Sequence, residues 1–186
     1  SICNELVKRN AVLVFTREEN PFAPDFTLRR VVAEDGPECV LVNMPRSKDG
    51  YRHAELDARF AEVVEAFQPE VAHIGHLNHL STGFVDVLHR AGIPIVYTLH
   101  DFWLMCPRGQ FLQRNVGGGV VHALCDGQED RKCATTCYAS LMSGLDGEHN
   151  SDTDYWTRWI QRRMSVTERI CEQVGLFIAP SKYLRD

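Results

Sequence analysis

The chain has no long hydrophobic stretch. Within its 186 residues no run reaches the ~18 apolar side chains that a bilayer span needs, which excludes a helical membrane segment. It has no excess of basic charge. Twenty Lys and Arg face 25 Asp and Glu, and the formal net charge is −5. Nothing there suits a broad electrostatic grip on nucleic acid or an anionic membrane, and nucleic acid is not an expected partner. No glycine-rich fingerprint follows an apolar strand. Gly117-Gly118-Gly119 follows no strand and opens no helix, so it is a poor phosphate cradle, and a nucleotide-binding oxidoreductase is disfavoured. There is no internal repeat. The opening residues, "SICNELVKRN", lack a Met and read as the tail of a helix, with no charged-then-apolar export signal.

What is present is an ordinary globular composition, 44% hydrophobic and 24% charged, and enough chain for one domain with a core. Short apolar runs read as strands: Ala11–Thr16, Glu38–Asn43, Glu70–Gly75, Pro94–Leu99 and Leu176–Pro180. Between them, Leu56, Phe60, Val63, Val64 and Phe67 fall on one face of a helix over 54–67, which Pro69 closes. A second helix over 81–91 buries Phe84, Val87 and Leu88. A third follows Ser151-Asp152-Thr153-Asp154, read as a capping box, and carries Trp156, Trp159, Ile160, Ile170 and Val174. Ser181 can cap a last, short helix. Strands that are continuously apolar are covered on both faces, as in a parallel sheet. The rhythm predicts an α/β Rossmann-like domain spanning 1–186, with helices on both faces of a parallel sheet.

From about 100 to 150 periodicity fades into a long irregular segment, with "SGLDGEHN" (143–150) as loop. Four of the seven cysteines crowd there: Cys106, Cys125 after eighteen residues, Cys133 after seven more, Cys137 after three. Four thiolates can hold a structural zinc or an iron–sulfur cluster, though this spacing matches no standard zinc finger. Reduced structural thiols and disulfides remain alternatives, and His122 is a substitute ligand. Cys3, Cys39 and Cys171 read as buried small hydrophobes. Such cysteine usage, without an export signal, suits the cytoplasm.

The candidate site residues stand just past strand ends, where ligands of open α/β sheets bind. His100 and Asp101 follow the Pro94–Leu99 run and are the candidate catalytic pair. "HIGHLNHLS" follows the preceding strand, offering His76 and Asn78 as substrate-binding groups. Its three histidines straddle a strand-to-helix turn, which argues against a metal there. Arg108, in "PRGQ", can pair with a phosphate or carboxylate.

The blocks "PEVAHIGHLNHLS", "GIPIVYTLHDFWLMCPRGQ" with its downstream cysteines, and "FIAPSKYLRD" resemble the N-terminal domain of family-four glycosyltransferases, over nearly the whole chain. The His-Asp-Phe-Trp-x-x-Cys-Pro-Arg block marks a subgroup. The resemblance implies one lobe of the two-domain GT-B fold and a retaining sugar transfer in the cleft between lobes. It implies an acceptor-side role for this chain, acting on a glycan, a lipid-linked or a small-molecule acceptor. A nucleotide-sugar serves as donor, held mainly by a second lobe. His100 matches the family histidine that approaches the donor sugar. Catalysis then needs no metal, and a metal on the cysteines is structural. Peripheral membrane association and a place in cell-surface polysaccharide assembly also follow from the resemblance. Compared with that pattern the chain lacks the first strand and the donor lobe, so it reads as a fragment that is inactive alone. The competing reading is a non-enzymatic metal-binding interaction module built on the cysteine segment.

Overall fold

The computed structural model describes residues 2–32, 34, 36–44, 50–114, 122–139 and 150–185. The glycine run 117–119 and all but the last residue of the loop expected over 143–150 lie outside the described residues, as do the side chains of Ser151 and Asp152 in the expected capping box, while Asn150 already opens a helix. The chain divides into two compact units, Ser1–Ala72 with Leu77–Ile95 and His73–His76 with Val96–Asp186.

The first unit contains α1 (Ile2–Leu6), β1 (Leu13–Glu18), β2 (Leu28–Val32), β3 (Glu38–Asn43), α2 (Ala54–Phe67) and α3 (Gly83–Arg90). Its sheet has the order β1-β3-β2. β1 runs parallel to β3, with Leu13 opposite Glu38. β2 is antiparallel to β3, with Leu28 opposite Val42, and departs from the purely parallel expectation. Its sequence, LRRVV, hides the strand because it is an exposed edge. Arg29 pairs with Glu18 across the sheet face, Nε to Oε1 at 3.0 Å, and Arg30 pairs with Glu38.

α2 buries Leu56, Val63 and Val64, the face its period predicts. It ends where Gln68 turns left-handed at φ 52° and returns its N–H to the Val64 carbonyl, with Pro69 next. α3 is buried from Gly83 through Leu88. Just before α3, Ser81 Oγ accepts from the Gly83 N–H at 3.1 Å and from the His53 N–H at 3.1 Å. Gly83 has to be glycine: a Cβ there would lie 2.0 Å from Asp57 Oδ2. Phe15, Phe60 and Phe84 form the aromatic centre of this unit, with ring centroids 5.1, 5.4 and 4.1 Å apart.

The second unit contains the sheet β4-β5-β8, whose strands are β4 (Ala72–Ile74), β5 (Ile95–Thr98) and β8 (Leu176–Ile178). β5 and β8 are parallel, Val96 opposite Leu176. The β8 residues are exposed, against the expectation that a continuous apolar run is covered on both faces. Among the described residues, this strand has a sheet neighbour on one side only. The segment without periodicity holds elements too short to leave a period: the hairpin β6 (Leu112–Arg114) and β7 (His122–Leu124), then α4 (Asp130–Lys132) and a π-helix, Cys133–Ala139. Glu129 caps α4 by accepting from the N–H groups of Arg131 and Lys132. α5 (Asn150–Glu172) follows, and α6 (Lys182–Arg185) is capped by Ser181 Oγ, which accepts from the Leu184 N–H at 3.3 Å. Among the described residues no helix is long and apolar enough to cross a membrane.

Candidate functional site

β5 delivers the chain to its carboxyl end, where the Leu99 N–H still bonds to the Ile178 carbonyl at 2.8 Å. His100 comes next and is exposed. Beyond it the chain closes a tight loop. The Phe102 N–H donates to the Gly109 carbonyl at 3.0 Å, and the Gly109 N–H to the Cys106 carbonyl at 2.8 Å. Gly109 has φ 77°, a left-handed conformation that favours glycine, and a Cβ on it would crowd Asp101 Oδ2 at 3.1 Å.

Asp101 organises this loop with its two oxygens. Oδ1 accepts from the Trp103 N–H at 2.8 Å, and Oδ2 stands 3.3 Å from His76 Nε2. The carboxylate thus orients the imidazole of His76, while the His76 ring also meets the Trp103 ring edge-on at 5.7 Å. His76 and Asp101 are therefore brought together, whereas His100, the neighbour of Asp101 in sequence, is not its partner. One strand over, His73 Nε2 is 2.7 Å from Thr98 Oγ1. Asn78 is exposed and belongs to the first unit.

Trp103 is the anchor of the loop. It is buried, and Arg163 of α5 holds it from behind: Nη2 donates to the Trp103 carbonyl at 2.5 Å, and the guanidinium lies 4.5 Å from the ring centroid. Phe102 packs edge-on against Phe111 and Tyr183, at 4.9 and 5.4 Å. Arg163 was not foreseen from the sequence, although a signal existed. Thr153, Ile160, Arg163, Thr167 and Ile170 are all buried and share one helical face, and an arginine on such a stripe has a specific buried duty.

Arg108 follows Cys106 and Pro107 in the same loop. It reaches toward the Leu112 carbonyl at 3.4 Å and lines a cavity of about 10 Å³ together with all four clustered cysteines and Tyr138. His122 is exposed and does not line it. Burial pushes the Cys133 thiol up to about 11, and the nearby Cys137, Cys106 and Cys125 add to the rise. Tyr138 is pushed up to about 12 by burial, and its hydroxyl donates to the Pro107 carbonyl at 2.9 Å. All seven cysteines are free thiols. Among the described residues, no three His, Cys, Asp or Glu side chains already stand as a metal-ligand set.

The first unit holds a second polar cluster that the sequence reading missed. Asp86, buried, pairs with Arg52 at 2.9 Å, and Asp57 lies against Gly83 at the start of α3. Burial raises the Asp57 carboxyl above its ordinary value.

The family model for Glycosyltransferase Family 4 matches residues 1–186. The chain belongs to glycosyltransferase family 4. Its mixed α/β architecture is the Rossmann-like lobe of the GT-B fold, and its general chemistry is the transfer of a sugar from a donor to an acceptor. A search of curated proteins and one of solved structures each found no match. For this family-4 domain, the loop after β5 is the natural place to look for the reacting groups, because it lies at the carboxyl end of a sheet strand.

Proposed function

We propose that this chain is the acceptor-binding half of a retaining glycosyltransferase that uses a nucleotide-sugar donor. In this reading it serves a glycan, lipid-linked or small-molecule acceptor in the cytoplasm. The reading rests on the family match over the whole chain. The observation that carries it is the exposed His100 at the end of β5, on a loop made rigid by Asp101, Gly109 and Trp103. Here His100 donates a hydrogen bond to the donor sugar. Asp101 acts by fixing the loop and the His76 ring, and so is a positioning residue. His76 offers a polar group to the acceptor. Retention puts the acceptor hydroxyl on the face the nucleotide diphosphate leaves, so the rate comes from placement and from stabilising the leaving charge. The donor is held mainly by a second Rossmann-like lobe.

His100→Ala tests the reading in the protein that joins this chain to its donor lobe. Transfer should fall by about 100-fold or more, with thermal stability unchanged because the side chain is exposed. Full activity in that variant would remove His100 from the reaction. Asp101→Asn should raise the acceptor KM more than it lowers kcat, since it loosens a binding ring. A drop confined to kcat would assign Asp101 a direct chemical part.

A further inference from the structure

The cysteine cavity stands apart from the sugar chemistry. Four side chains that can each give one sulfur come from three different places in the fold. Cys106 ends the loop that carries His100 and Asp101, Cys125 follows β7, and Cys133 and Cys137 lie one turn apart on the π-helix. All four line the same small space. A π-helical turn is rare and most often marks a place where a side chain has to be re-aimed for a purpose. We propose that Cys106, Cys125, Cys133 and Cys137 form a four-thiolate zinc site that fastens the loop after β5 to the β6–β7 hairpin and the π-helix.

About 10 Å³ of open space accommodates one water-sized sphere, which suits a single ion. The four cysteines do not stand as a ligand set beforehand, so binding has to draw the sulfurs inward to the ~2.3 Å of a zinc–thiolate bond. The balance is simple: four S–H bonds break, four Zn–S bonds form, four protons leave to solvent, and no atom is oxidised or reduced. The product carries two net negative charges, and cations stand ready for them. Arg108 lines the cavity, and Lys132, which precedes Cys133 in the chain, donates to Asp126 and to the Gly127 carbonyl at 2.7 Å. Cys125 is already held in place, its N–H bonded to the Phe111 carbonyl at 2.8 Å.

The test is a metal determination on the full chain, produced with zinc supplied and purified under reductant. About one zinc per chain is expected. Cys133→Ser and Cys137→Ser together should abolish it, while Cys3→Ser, Cys39→Ser and Cys171→Ser retain it. Because the double variant can fail to fold, the unaltered chain is also stripped by chelation and refilled with Co²⁺. A strong thiolate-to-cobalt charge-transfer band, with the intense visible bands of a tetrahedral ion, is the expected spectrum. Zinc-free protein whose four cavity thiols all react with a thiol reagent in the native state overturns the proposal. So does a disulfide among the four, iron with acid-labile sulfide, or a weak octahedral cobalt spectrum. None of these outcomes depends on sugar transfer, so the zinc site and the proposed function stand or fall separately.

Discussion

The two units of this chain reach order by different means. The first is a core of aliphatic and aromatic side chains: Val40 and Val42 from β3, Leu56, Val63 and Val64 from α2, and Phe84, Val85, Val87 and Leu88 from α3. The second buries Trp103, Cys133, Ala134, Cys137, Ile160 and Ile170, and with them Thr153, Arg163 and Thr167. Its centre is a layer of Tyr138, Trp156 and Trp159 rings, 5.0 to 5.6 Å apart, laid over Cys133, Ala134 and Ile160. An apolar core needs only water to drive it together. A core with a buried guanidinium, a half-buried phenol and two buried thiols holds only if each polar group has its partner. The unit that carries His100 and Asp101 thus places directional contacts at its centre, while the first unit buries Asn43, Ser81, Thr82 and Asp86 in addition to its apolar core.

The sharpest way to break that contrast is to remove one side chain from each centre. Phe84→Ala takes out the ring shared by the pairs with Phe15 and Phe60. It should cost about 3–5 kcal/mol in urea unfolding, the largest effect expected here. A cost under about 1 kcal/mol would mean that this aromatic centre does not hold the first unit. Arg163→Met keeps the bulk but leaves the Trp103 carbonyl without its guanidinium donor, at a cost of about 2 kcal/mol. That variant should also change tryptophan fluorescence and lower transfer activity, since the His100 loop loses its anchor. If stability drops while fluorescence and activity hold, the loop is anchored by something else. Tyr138→Phe removes the hydroxyl bonded to the Pro107 carbonyl, for about 1 kcal/mol.

The difference between the units also explains what the sequence could tell. In the first unit β1, β3, α2 and α3 follow from apolar runs and a 3.6-residue period, because burial of aliphatic side chains writes itself into spacing. β2 escaped because an edge strand answers to its neighbour and to ion pairs, and LRRVV shows neither in one dimension. In the second unit, β5, β8 and the face of α5 were legible. The β6–β7 hairpin and the π-helix were not, since three-residue strands and one helical turn are shorter than any period. Of the candidate site, the location at the end of β5 was legible, while its pairing was not. His76 with Asp101, and Arg163 with Trp103, join residues 25 and 60 positions apart. The four cysteines stood out by crowding, and their convergence on one cavity is information that only the fold supplies.

The smallest effect concerns a place where the first unit, like the second, buries polar groups. Asp57 lies among Ser81, Arg52 and Asp86 at the start of α3, and burial raises its carboxyl above the ordinary 3.8, with the charge of Asp86 adding and Ser81 and Arg52 opposing. A raised folded value means that the native state keeps this proton to higher pH than the unfolded chain does. Between 3.8 and the raised value the native state therefore binds more protons, and the contribution of Asp57 to stability falls as pH rises through that window. It is fully present below the unfolded value and gone above the folded one. Asp57→Asn carries no titratable group, so the wild type should gain on the variant as pH falls from neutral toward 4. Urea midpoints of both proteins at several pH values in that range read this directly. The opposite trend, the wild type gaining as pH rises, would show that Ser81 and Arg52 outweigh burial and hold Asp57 as a carboxylate. The first unit would then also depend on a satisfied buried charge, and the contrast between the two cores would narrow.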